Sequence, residues 1–109
     1  MPKLGEEGMW SVVMFDLPVK TRIQTRAANR FRNLLLDLGY FRAQFSVYVR
    51  YLPTGTSGQP AIRSIKANLP AAGEVRIVHI TDRQWSKGLR FVQKSEEELE
   101  EKADQLTIF

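Results

Sequence analysis

Residues 10–18, Trp10-Ser11-Val12-Val13-Met14-Phe15-Asp16-Leu17-Pro18, form an apolar run that stops at a carboxylate and then a proline. The shortness of the run and its β-branched and aromatic content predict a buried strand rather than a helix. Proline has no N–H to give to a ladder, so the strand ends before Pro18. Asp16 therefore falls at the carboxyl end of the first strand, where sheets often present chemistry. On position alone an ordinary turn aspartate is the stronger reading, because Asp caps its own backbone in turns.

Working outward, residues 1–8 carry two glycines, a proline and three charges, and read as a flexible leader. After Pro18, the apolar positions Ile23, Ala27, Phe31, Leu34, Leu35 and Leu38 recur at steps of three and four, which predicts one helix from about Lys20 to Leu38. Gly39 is its expected C-cap. Arg22, Arg26 and Arg30 are spaced by four on this helix, so they form one row at about 6 Å intervals. That interval suits contact with successive phosphates, whereas a solvated helix face is the plainer reading. The row has no interleaved acids, since Asp37 is the only acid between residues 17 and 50, and this favours nucleic-acid binding.

Tyr40–Ala43 is a short strand or a bend. Gln44–Tyr51 alternates clearly, with Phe45, Val47, Val49 and Tyr51 on one side and Ser46, Tyr48 and Arg50 on the other. One side packs on helices and the other meets solvent or a partner, where Tyr48 and Arg50 are candidates to stack on bases or contact phosphate; a tyrosine that simply covers the sheet is an equal reading. Residues 52–59 form a Pro- and Gly-bearing loop, Pro60 opens a short helix marked by Ile62, Ile65 and Leu69, and a further strand covers Glu74–Thr81. His79 in that strand is the sole imidazole, and a packed or hydrogen-bonded role is expected of it rather than catalysis. Asp82–Trp85 is a short helix or turn, and Gly88–Gln93 a weaker strand candidate. Ser95-Glu96-Glu97-Glu98 has the form of a capping box, and Gln105–Phe109 reads as a terminal strand that adds to a sheet edge, in its own subunit or another.

The 109 residues suffice for one domain with a single core. The expected divisions are a leader over 1–8, a domain over 9–94 and an acidic extension over 95–109. No apolar run approaches the roughly 20 residues of a membrane span, no signal core is visible, and cysteine is absent, so a cytoplasmic protein is expected. Absence of Cys and a single His exclude thiolate zinc sites, Cys nucleophiles and any site needing two histidines of one chain. The net charge of +4 divides unevenly: residues 1–94 hold 15 Lys and Arg against 6 acids, while residues 95–109 hold one Lys against six acids. A basic body favours a polyanionic partner, nucleic acid before a membrane surface.

The order strand, helix, strand, strand, helix, strand, with the helices on one face, is the α+β ferredoxin-like β-α-β-β-α-β sandwich, here with a C-terminal extension whose last strand a homodimer would exchange. That fold hosts many functions, so the site must speak for itself. P-loop, dinucleotide-binding and HExxH signatures are missing, and no Ser-His-Asp set can be assigned. Asp16, the arginines and the aromatics are the usable material.

Phe15-Asp16-Leu17-Pro18, a basic helix ending in Leu38-Gly39-Tyr40, then Gln44-Phe45-Ser46-Val47-Tyr48 and Val75-Arg76-Ile77-Val78, in this order and spacing, resemble the CRISPR-associated endonuclease of family two, the small ferredoxin-like spacer-acquisition protein. The resemblance spans residues 9–109. Arg30-Phe31-Arg32 through Leu35, Thr81-Asp82-Arg83-Gln84-Trp85 and the final Gln105-Leu106-Thr107-Ile108-Phe109 are most similar to members from type II systems.

The resemblance implies a homodimer in which Asp16 of each chain approaches its twin and holds Mg²⁺ or Mn²⁺, making Asp16 both the catalytic and the metal-binding residue. One carboxylate is a poor Mg²⁺ site, whereas one or two carboxylates with waters and substrate phosphate suffice. It also implies partnership with the adaptation integrase on short duplex DNA, with RNA a further possible substrate. Arg22, Arg26 and Arg30 would neutralise phosphates, although the family's arginine positions are not matched one for one; Arg50 stays a nucleic-acid-binding candidate from the alternation of its strand alone. Three expectations follow: a dimeric metal-dependent endonuclease of spacer acquisition; a non-catalytic nucleic-acid-binding scaffold in which Asp16 is a turn residue; or an RNA-binding module using Tyr48 and neighbouring aromatics.

Overall fold

A computed structural model describes residues 7–93; residues 1–6 of the expected leader over 1–8 and the acidic extension over 95–109 lie outside the described residues. The elements run β1 (Met9–Asp16), α1 (Arg22–Asp37), β2 (Phe41–Gln44), β3 (Val47–Leu52), α2 (Gln59–Ala67), β4 (Glu74–Thr81) and α3 (Asp82–Ser86). The four strands form one sheet in the order β2-β3-β1-β4, with antiparallel pairing throughout. This is the ferredoxin-like arrangement the sequence predicts, and β1 lies at its centre, paired on both sides.

β1 alternates between two surroundings. Val13 and Phe15 enter a core built with Phe31 and Leu35 of α1, Ala61 and Ile65 of α2, and Tyr40 and Tyr48. The even-numbered side chains Trp10, Val12, Met14 and Asp16 take the opposite face, since the strand period is two. Fully burying a side chain such as Phe31 or Leu35 stabilises by about 1.5–3 kcal/mol each, so this layer dominates the cohesion of the fold.

Local signals set the helix ends. Thr21 caps α1 reciprocally: its hydroxyl accepts from the Gln24 amide, and the Gln24 side chain accepts from the Thr21 amide. At the other end, the Tyr40 amide donates to the Leu35 carbonyl and the Gly39 amide to that of Leu36, both at 3.0 Å. This is a Schellman closure, and it needs the left-handed φ of +90° that Gly39 supplies. It also delivers Tyr40 into the core, where its hydroxyl lies 2.7 Å from that of Ser11.

Four local expectations need correction. First, the segment 44–51 is not one strand: Phe41–Gln44 forms β2, Phe45 and Ser46 make the turn, and β3 begins at Val47, with a register shift between Arg42 and Gln44. Second, the proposed stacking role of Tyr48 fails. Tyr48 pairs with Val13, is only 3% exposed and packs at 5.7 Å from Phe15, so it faces the helices. Third, Ile23 extends the helical apolar series but is 77% exposed; burial on α1 is carried by Ala28, Phe31 and Leu35. Fourth, residues 88–93 form no strand, and Leu89 and Phe91 stand exposed there.

The free face of the sheet carries an aromatic group at the Met9 end of β1. Trp10 stacks on Trp85 of α3 with centroids 4.9 Å apart, and touches Tyr51 and Phe41. The Trp10 indole N–H donates to Asp82 Oδ1 at 2.8 Å, fastening α3 to β1. Among the described residues no helix is long and apolar enough to cross a membrane.

Candidate functional site

Asp16 is the last residue of β1 and is exposed. Its position is fixed from three sides. The Phe15 amide donates to the Ser46 carbonyl at 3.1 Å, and the Phe15 ring meets Phe31 edge-on at 5.3 Å. The Arg32 guanidinium covers the Phe15 ring at 5.5 Å and the Phe45 ring at 4.9 Å, holding the β2–β3 turn against the strand end. Gly73, with φ +99°, abuts the Asp16 backbone: a β-carbon there would stand 2.5 Å from the Asp16 carbonyl oxygen. Pro18 follows two residues on and keeps the chain out of the sheet.

Across the ladder, Asp16 is in register with Glu74, and Met14 with Arg76. Directly opposed residues on one face hold their β-carbons about 5 Å apart. Asp16, Glu74 and Arg76, with Met14 and Phe15, line a shallow cleft of about 240 Å³. Arg76 Nη2 lies 3.3 Å from Glu74 Oε1, with both side chains largely exposed. Among the described residues no group of three or more His, Asp or Glu stands ready for a metal, so one chain presents a pair of carboxylates. Such an all-oxygen set suits Mg²⁺ or Mn²⁺, which take one or two carboxylates with waters and phosphate.

The four candidate arginines divide. Arg22, Arg26 and Arg30 are all exposed along α1, as a single row. α1 follows directly on the β1–α1 connection, so Arg22 is the member nearest in sequence to Asp16. Arg30 also lines a second cleft of about 490 Å³ between α1 and residues 68–71, beside Asn33, Asp37 and Asn68. Arg50 is not brought to this site. It is half-buried, in register with Ser11, and runs beside Gly39 on the helix side of the sheet. At about 3.4 Å per residue, five residues of β1 separate that position from Asp16 by about 17 Å.

Three side chains around the strand end were not singled out as site residues from the sequence: Arg32, Glu74 and Arg76. Period-two alternation in β4 would have placed Glu74 and Arg76 together, and the fold's strand order would have put β4 beside β1. The missing information was the register.

A ferredoxin-like sheet whose central strand ends in an exposed carboxylate on the face opposite α1 and α2, with the basic α1 following it, defines a small α+β protein suited to polyanion chemistry. The family model described as CRISPR associated protein Cas2 matches residues 9–88, and the chain belongs to this family. It is 41% identical over 105 residues to the CRISPR-associated endoribonuclease Cas2 of Paracidovorax avenae, covering 96% of this chain and 97% of that protein. The protein of the same name from Flavobacterium psychrophilum is 34% identical over 93% of this chain and 88% of its own length. A third, from Parvibaculum lavamentivorans, is 36% identical over 93% of this chain and its entire length. A solved structure described as "Crystal structure of cas2" superimposes with a TM-score of 0.57 at 20% identity, covering 82% of this chain and 91% of that chain, which shows the shared fold.

Proposed function

We propose that this chain is a dimeric, metal-dependent endonuclease of RNA or DNA phosphodiesters that serves CRISPR adaptation together with the integrase. The observation that carries it is Asp16: an exposed carboxylate at the paired end of the central strand, on the face opposite α1 and α2. Close relatives are named endoribonucleases, which favours RNA as the first substrate to test.

Asp16 of each protomer would hold Mg²⁺ or Mn²⁺. When bound, such a cation polarises a phosphodiester and lowers the pKa of an attacking water. The chain's own part is positional. Phe15, Arg32, Ser46 and Gly73 fix the strand end that bears the carboxylate, and a two-fold axis through the sheet faces opposite α1 and α2 would bring the second one to it. Arg22, Arg26 and Arg30 attract the substrate backbone and leave the chemistry to Asp16. Leu89, Phe91 and Phe41 are exposed apolar groups that a dimer interface could cover.

The test is cleavage of labelled RNA and duplex DNA with Mg²⁺, Mn²⁺ or EDTA, alongside sedimentation to establish the dimer. Metal-dependent cleavage lost in Asp16→Asn supports the reading, and cleavage that survives EDTA or D16N rejects it.

The row on α1 favours a second reading, a non-catalytic scaffold that spans duplex DNA for the integrase. Duplex affinity that is strongly salt-dependent and indifferent to EDTA, with no cleavage, selects it.

A further inference from the structure

The geometry points to Glu74 and Arg76 as the second half of the Asp16 site, Glu74 as a further oxygen ligand for the divalent cation and Arg76 as the anchor for the substrate's phosphate. This rests on the reading of Asp16 given above. It changes what each protomer supplies, from one carboxylate to two carboxylates and a guanidinium.

The phase of β4 is locked by its neighbours. Val75 and Ile77 pack against the core, so Glu74, Arg76 and Val78 must take the free face. The ladder pairs Asp16 with Glu74 and Met14 with Arg76, so Arg76 is the diagonal neighbour of Asp16, about 7–8 Å away by strand geometry. All three charged side chains line one cleft. Gly73, immediately before Glu74, is in close contact with the Asp16 backbone, which couples the start of β4 to the end of β1 independently of the ladder.

The charge balance gives the pair its role. Two carboxylates about 5 Å apart at the β-carbon repel each other, and Arg76 relieves this by binding Glu74 at 3.3 Å. Both partners of that bridge are largely exposed, at 67% and 72%, so it contributes little to stability and exchanges readily. A divalent cation and Arg76 compete for the same carboxylate. When Glu74 turns to the cation, the guanidinium is released beside Asp16, and its planar fork matches a phosphate bidentately. The plain alternative is that Glu74 and Arg76 only blunt the open edge of β4 with charge.

Titration of Mn²⁺ into the full-length protein and three variants, each confirmed folded by circular dichroism, separates these. Wild type binds Mn²⁺, Asp16→Asn loses binding, and Glu74→Gln binds about 10-fold more weakly or worse. Arg76→Gln binds Mn²⁺ at least as tightly as wild type, because its competitor for Glu74 is gone. In saturating Mn²⁺, the same variant binds a fluorescein-labelled, cleavage-resistant 2′-O-methyl single-stranded RNA more weakly than wild type does, with a salt slope reduced by about 1. If Glu74→Gln keeps wild-type Mn²⁺ affinity while D16N loses it, the Glu74 assignment is overturned and the Asp16 reading stands. If D16N binds Mn²⁺ like wild type, or wild type binds none, the Asp16 reading itself fails. Weaker Mn²⁺ binding by Arg76→Gln, or RNA affinity unchanged, overturns the anchor role of Arg76.

Discussion

Gly73 packs against the carbonyl of Asp16 so closely that any β-carbon at position 73 would stand 2.5 Å from that oxygen. The backbone there has φ +99°, which side chains rarely tolerate. The candidate carboxylate is thus set by a backbone contact as well as by its own strand. Gly73→Ala is expected to lower the melting temperature and to reduce cleavage more than a distant substitution of equal destabilisation does. Thermal melts paired with cleavage rates at a temperature where both variants stay folded measure this.

Ser11 and Tyr40 share a buried hydrogen bond across 29 residues of chain. Ser11 is fully buried, so Tyr40→Phe strands its hydroxyl in the core. The expected loss is about 1–3 kcal/mol of unfolding free energy, read from urea denaturation. Replacing both, as Ser11→Ala with Tyr40→Phe, should recover part of it.

Phe31 joins the two halves of the core, edge-on to Phe15 beneath the candidate site. Phe31→Leu leaves a smaller void than Phe31→Ala, for which large-to-small core changes give about 3–5 kcal/mol. On a marginally stable small domain the alanine variant should be largely unfolded at 37 °C. Circular dichroism against temperature ranks the two.

The row Arg22, Arg26 and Arg30 should act additively and without regard to sequence. Each change to alanine is expected to weaken nucleic-acid binding and reduce the slope of log affinity against log salt by about 1. Arg50→Ala serves as the contrast, because that side chain lies half-buried on the helix side. It should leave the slope unchanged. Fluorescence anisotropy at several salt concentrations checks both.

Much of the fold was legible because its two periods are strongly written. The apolar stop at Asp16-Leu17-Pro18, the three-and-four spacing along α1, the Gly39 cap and the order of elements led to the correct sheet. What failed did so for want of phase and register. Alternation over 44–51 sorts Tyr48 from Val47 and Val49 correctly but does not say which set faces the helices; the β1–β3 register puts Tyr48 opposite Val13, on the core side. Ile23 continues a helical series whose spacing reveals a face but not where the sheet beneath it begins. The place of Asp16 at a strand end was legible, but on position alone it reads as a turn residue, and only the family resemblance makes it a site candidate. Glu74 was not legible, because its meaning comes from a partner 58 positions earlier that only the β1–β4 register supplies.

The most direct test of the central claim is the cleavage rate of Asp16→Asn, compared with wild type in saturating Mn²⁺, for a variant shown to keep its fold and dimeric state. The substitution keeps the side-chain volume and removes only the charge that holds a cation. Cleavage should fall to that of buffer alone, with RNA affinity in EDTA retained. Cleavage at the wild-type rate would contradict the claim, and would leave Asp16 as a strand-ending turn residue.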